Sequence, residues 1–183
     1  MHALFFEMTP RPGHLEHYFD HVARLQPALA RHEGLLFLDR YGARGRDDLL
    51  LSHQLWRSED DIIAWRKDAD HRRSQSAGYA KHFADYRIRV GERIDPAAPG
   101  AKGGHCVLAV YGMRAPDDPQ FRVFDSFKRE GQTVALADLD SPDRAAAVFE
   151  VVNGTAGVEE VALYAILRDY GQHDRAQAPQ AFG

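Results

Sequence analysis

Among the groups in the first half of this sequence that could take up a proton near neutral pH, His71, His53 and Glu7 are the candidates for a substrate-facing base. Imidazole, with an unperturbed pKa of about 6.5, is the natural base for a reaction that must deprotonate its substrate. His71 stands either in a ligand pocket or on a surface loop. His53 lies mid-way along Leu49–Trp56 and alternates with Leu49, Leu51 and Leu55. It reads as a core or interface histidine, or as a polar group turned towards a ligand. Glu7 has the same two readings, since it shares a strand face with Ala3, Phe5 and Thr9. Arg87 and Arg89 alternate with Tyr86 and Ile88 on a later strand. A guanidinium there could pair an anionic substrate oxygen, or simply carry a solvated or interfacial charge. His14, His17 and His21 step by three and four along one helix. Such a stripe could bind a transition metal. It flanks the apolar residues Leu15, Tyr18 and Val22, so a solvent-facing flank is expected. Cys106 lies in an apolar strand and reads as buried and inert. His-Glu-x-x-His, Gly-x-Ser-x-Gly and phosphate-loop motifs are all missing from the sequence.

The elements that must position these groups follow from periodicity. Ala3–Thr9 reads as a strand, ended by Pro10-Arg-Pro-Gly13. From His14 to about His32, apolar residues at Leu15, Tyr18, Phe19, Val22, Leu25 and Leu29 mark an amphipathic helix with Pro27 inside it. Leu35–Tyr41 and Leu49–Trp56 read as a hairpin. Ser58 caps a second helix carrying Ile62, Ile63 and Trp65. A further helical stretch over about 72–82 leads into the strand Tyr86–Ile94. The order is β-α-β-β-α-β, a ferredoxin-like unit.

Asp95–Gly104, rich in Pro, Gly and Ala, reads as a linker. A worn repeat follows over 105–170: a strand at 105–113, a hairpin over 121–139, a helix from Ser141 and a strand at 158–169. The stretch after its first strand is too short for the first helix. A polar tail occupies 171–183.

The 183 residues are 44% hydrophobic and 27% charged, with a formal charge of −4. These are globular proportions, and the acidic balance argues against a general nucleic-acid footprint. One cysteine excludes an intrachain disulfide framework and a Cys-rich zinc site. Neither a signal peptide nor a spanning apolar run is visible, so a cytoplasmic protein without membrane association is expected.

The stretch Leu55–Gln75, followed by Phe83–Val90, resembles the antibiotic biosynthesis monooxygenase (ABM) family. Pro12-Gly13 and Glu33-Gly34 also match. The tail 168–179 looks like the ending such proteins carry after their last strand. The resemblance implies an α+β fold, a ferredoxin-like dimeric α+β barrel, here with tandem halves of which the second is degenerate. It divides the chain into an ABM-like domain (1–94), a linker (95–104), a degenerate second half (105–170) and the tail.

It also implies a ligand pocket between sheet and helices. Well-known members oxidise polycyclic phenols with O₂ and without flavin or metal. By this resemblance the chain is expected to be a cofactor-independent monooxygenase of an aromatic small molecule, with its two halves packed as two antiparallel sheets of one barrel. The chain is then either a monomeric pseudo-dimer or a homodimer, and the missing helix of the second half favours the homodimer. Trp65 stands where monooxygenase members have a pocket tryptophan. Asp61, one helical turn earlier, replaces an asparagine, and His71 replaces a tyrosine. Trp65 and His71 are therefore the expected catalytic pair, with Asp61, His53, Glu7, Tyr86 and Arg87 as substrate-binding candidates. The alternative is a non-catalytic binding or stress-response protein of the same fold. Haem cleavage comes third, because the iron-ligating histidine of haem-degrading members is replaced by Gln75.

Overall fold

The computed structural model describes residues 1–77, 81–98 and 104–179. Its elements are β1 (His2–Pro10), α1 (Leu15–Leu29), β2 (Leu35–Ala43), β3 (Arg46–Trp56), α2 (Glu59–Lys67), α3 (Ala69–Ala77), β4 (Phe83–Ile94), β5 (Cys106–Gly112), β6 (Arg122–Ser126), β7 (Thr133–Leu139), α4 (Pro142–Val152) and β8 (Val158–Gly171).

Local chemistry explains most boundaries. Pro27 lies in the last turn of α1, which then tightens: the Arg31 and His32 amides donate to the carbonyls of Ala28 and Leu29. Ser58 and Ser141 cap α2 and α4, accepting from the amides of Asp61 and Arg144. The helical region after Ser58 breaks at Asp68, whose Oδ1 accepts from the amides of Asp70 (2.9 Å) and His71 (3.2 Å) and so starts α3. α3 therefore begins earlier than expected, and positions 78–80 of the expected stretch lie outside the described residues. β4 begins three residues before Tyr86. Of the expected linker, Asp95–Ala98 form a turn and 99–103 lie outside the described residues.

The eight strands close into one antiparallel barrel in the order β1-β3-β2-β6-β7-β5-β8-β4. Each half contributes a block of the same internal order, β4-β1-β3-β2 and β8-β5-β7-β6. The halves meet at two seams. One runs over eight residue pairs between β4 and β8, and the other over three pairs, Tyr41–Ala43 against Phe124–Ser126. The two halves form one barrel, as expected, and of the two arrangements considered it closes within one chain, as a pseudo-dimer, rather than with the sheet of a partner copy. A homodimer would be an association of complete barrels.

Alternation gives every strand a lumen face and an outer face. The lumen is filled by Ala3, Phe5, Tyr41, Leu51, Phe124, Leu136 and Tyr164. The outer face of the first half packs Met8, Leu50, Trp56 and Ile88 against Tyr18, Leu29, Ile62 and Trp65 from the helices. The tail folds back on this side. The amide of Gln172 donates to the Tyr86 carbonyl at 3.1 Å, and Ala178 packs on the same cluster. The outer face of the second half is covered by α4 and Phe121. Among the described residues no helix is long and apolar enough to cross a membrane.

Candidate active site

A cavity of about 110 Å³ lies between the outer face of the first-half strands and α1, α2 and α3. Its floor is Leu4 and Phe6 of β1, Arg40 of β2, Ser52 and Gln54 of β3 and Ile88 of β4. All are even-numbered, because outward-facing positions alternate. Its roof is the α1 stripe Tyr18, Val22, Leu25 and Leu29 with His21, then Trp65, and then His71, Ser74 and Gln75 of α3. The polar floor is internally bonded: Gln54 Nε2 donates to Ser52 Oγ at 3.4 Å, and Trp56 Nε1 donates to Gln54 Oε1 at 3.0 Å.

Trp65 and His71 meet on this cavity. The break at Asp68 swings α3 round so that the imidazole lies flat on the indole, with centroids 4.1 Å apart and planes within 13°. His71 Nδ1 lies 3.0 Å from the Trp65 carbonyl oxygen. A carbonyl only accepts, so Nδ1 carries the proton and Nε2 keeps its lone pair. Burial lowers the pKa of His71 to about 4, against the opposing effects of the Trp65 carbonyl and Asp68. The ring is neutral at pH 7. His32 meets the indole edge-on at 5.1 Å, with its Nε2 3.4 Å from Asp68 Oδ2.

The other expected residues lie elsewhere. Asp61 belongs to the cap of α2: it accepts from Ser58 Oγ at 2.6 Å and presses against Gly34, outside the cavity lining. Tyr86 is on the outer face, where its hydroxyl accepts from Arg175 Nη1 at 2.6 Å. His53 faces the lumen, stacked on Phe5 at 4.6 Å with Nε2 2.8 Å from the Tyr111 hydroxyl. Burial lowers its pKa to about 4. Glu7 is also buried in the barrel, paired with Arg89 and Arg122. Arg87 is held by Asp169 at 2.9 and 2.6 Å. Asp138 ties these groups together. Burial raises its pKa, but His105, Arg89, Arg87 and Arg122 outweigh that and hold it well below the usual carboxylate range. The sheet therefore separates His53, Glu7 and Arg87 from Trp65 and His71.

The histidine stripe is not simply solvent-facing. His21 lines the cavity, and His14 Nδ1 lies 3.0 Å from Nδ1 of His82. Among the described residues no three donors converge as a metal site. Arg40, Ser52, Gln54 and His82 escaped the sequence reading. For the three strand residues the signal was alternation: Arg40 shares a face with Leu38, and Ser52 and Gln54 interrupt the face that carries Leu50 and Trp56.

A relative from Pyricularia oryzae, named jasmonate monooxygenase ABM, is 26% identical over all of this chain and 98% of its own length. Among solved structures, a protein from Pseudomonas aeruginosa is 20% identical over 51% of this chain and 94% of its own, with a TM-score of 0.45. An anthrone oxidase-like protein is 14% identical over 98% of this chain and 96% of its own, with a TM-score of 0.44. Residues 1–77 match the family model described as antibiotic biosynthesis monooxygenase. The segment that supplies α1, α2 and α3, and with them the cavity's roof, is the part of the chain that matches this family.

Proposed function

We propose that the chain is a monooxygenase that oxidises a small ring compound with O₂ in the cavity bounded by Trp65 and His71, without a bound cofactor. The observation that carries this reading is the neutral His71 ring on the cavity wall, oriented by its bond to the Trp65 carbonyl and by the indole beneath it. Its free Nε2 accepts a proton from an acidic O–H or C–H of the substrate, and the substrate anion left beside the imidazolium stabilises it, which opposes the lowering that burial imposes on the empty site. The resulting anion gives up electrons to O₂ far more readily than its neutral parent. For an activated methylene the balance is R₂CH₂ + O₂ → R₂C=O + H₂O, so the substrate supplies every electron and needs no external reductant. Trp65 provides an apolar wall for the ring.

Size narrows the substrate. A dry cavity of about 150 Å³ holds benzene. The 110 Å³ here is smaller still, so it takes at most a single ring and excludes a rigid polycycle. Beside it, a recess of about 40 Å³ shares Leu4, Trp65, His71, Gln75 and Ile88, and a groove of about 670 Å³ shares Val22, Leu29 and Arg40. A substituent on the ring can extend along either.

The test is O₂ uptake with a panel of anthrones, hydroxynaphthalenes, monocyclic phenols and jasmonate, on the native chain and on His71→Ala. Uptake that falls at least tenfold in His71→Ala supports the reading. Binding without any O₂ uptake replaces it with a non-catalytic binding protein.

A further inference from the structure

Arg40 is an unusual cation for this molecule. It lines both the cavity and the wider groove, so it sits where the two spaces join. Its Nε is buried without a hydrogen-bond partner. Among the described residues no carboxylate lies within ion-pair distance of its guanidinium. By contrast Arg87, Arg89, Arg122 and Arg129 all have carboxylate partners. The adjacent Asp39 points to the lumen side, where Ser126 Oγ (2.9 Å) and Arg129 Nε (2.8 Å) hold it. The polar side chain that faces Arg40 across the cavity from α1 is the buried Tyr18, whose hydroxyl is uncharged. A cation drawn partly out of water with only a neutral partner is costly, and an arriving anion removes that cost.

We propose that Arg40 is the anion-recognising residue of this cavity and that its ligand is a monocyclic carboxylic acid. The ring lies against Leu4, Phe6 and Trp65, and the carboxylate meets the planar guanidinium fork. A single cation suits a carboxylate better than a phosphate dianion, which calls for more positive charge. The groove beyond Arg40 offers Lys128 but also Glu33. The inference rests on the cavity being the substrate site, and it adds the substrate's charge and the residue that reads it.

The probes are 3-phenylpropanoate, its methyl ester and phenyl phosphate, titrated calorimetrically at pH 7 into the native chain, Arg40→Gln, Arg40→Lys and His71→Ala. The acid should bind the native chain at least tenfold tighter than the ester, about 1.4 kcal/mol. Arg40→Gln should bring that ratio to about one while ester affinity stays the same. Arg40→Lys should keep part of the preference, and His71→Ala all of it. Equal binding of acid and ester by the native chain overturns the proposal whatever the variants do. So does an acid preference that survives in a folded Arg40→Gln, or a preference for phenyl phosphate. The two readings fail separately. An Arg40-dependent preference with no O₂ uptake on any substrate leaves the anion site standing and removes the oxidation chemistry.

Discussion

Burial of His71 makes stability depend on pH with a sign and size that follow from the structure. Its folded pKa is about 4, against about 6.5 in the unfolded chain. Between those values the unfolded chain binds a proton that the folded chain refuses. Stability is therefore full above pH 6.5 and falls as the pH drops towards 4. From pH 7 to pH 5 the loss for one such histidine is about 2 kcal/mol. His53, also near 4 when folded, adds a similar loss. The native chain should lose about 4 kcal/mol over this range from the two together. In His71→Gln, which cannot titrate, about half of that loss should vanish, whatever the variant's absolute stability at pH 7. Urea unfolding followed by far-UV circular dichroism at pH 7, 6 and 5 measures both slopes. A His71→Gln slope equal to that of the native chain would refute the reasoning, because His71 would then be solvated and no part of a dry cavity wall.

A methyl group at Gly34 would lie 2.2 Å from Asp61 Cγ, so Gly34→Ala should destabilise the chain, and Gly34→Ala with Asp61→Ala should cost less than the sum of the two. Thermal denaturation reads this cycle, and full additivity contradicts the contact. Asp61→Asn should leave ligand affinity unchanged by calorimetry, because its partners are Ser58 and Gly34 rather than the cavity. Both barrel seams are internal, so the melting midpoint should not move on hundredfold dilution. A midpoint that falls with dilution means that folding depends on contacts between chains.

Much of the fold was legible because alternation and caps are local. Tyr86, Ile88 and Val90 separate cleanly from Arg87 and Arg89, and Ser58 and Ser141 mark their helices. Which strand face meets the helices was not legible. A closed barrel buries both faces, so Leu4, Phe6 and Met8 are as apolar as Ala3 and Phe5. His53 and Glu7 therefore read as well as Ser52 and Gln54 for the ligand side. A barrel built from the two halves was legible from the repeat, but not whether it closes within one chain or between copies, because the β2–β6 seam is only three residue pairs long and backbone pairing leaves little mark on local sequence. That Trp65 lies on the buried face of its helix could be read from the apolar residues beside it, but its place on a ligand cavity rested on the resemblance. His71 could be reached by resemblance but not by spacing, because the Asp68 break resets the helical phase between it and Trp65. Arg40 lay hidden in a strand whose outer face is otherwise apolar near the cavity.

The central claim is that ligand chemistry happens on the helix-covered face, at Trp65 and His71, and not in the barrel lumen. Side-chain nitrogen-15 spectra, recorded while a compound that supports O₂ uptake is titrated anaerobically, test this most directly. The account predicts saturable shifts of the Trp65 indole and His71 imidazole signals at the same ligand concentration, with the His53 ring unmoved behind the sheet. Shifts confined to His53, with Trp65 and His71 unchanged, would contradict it.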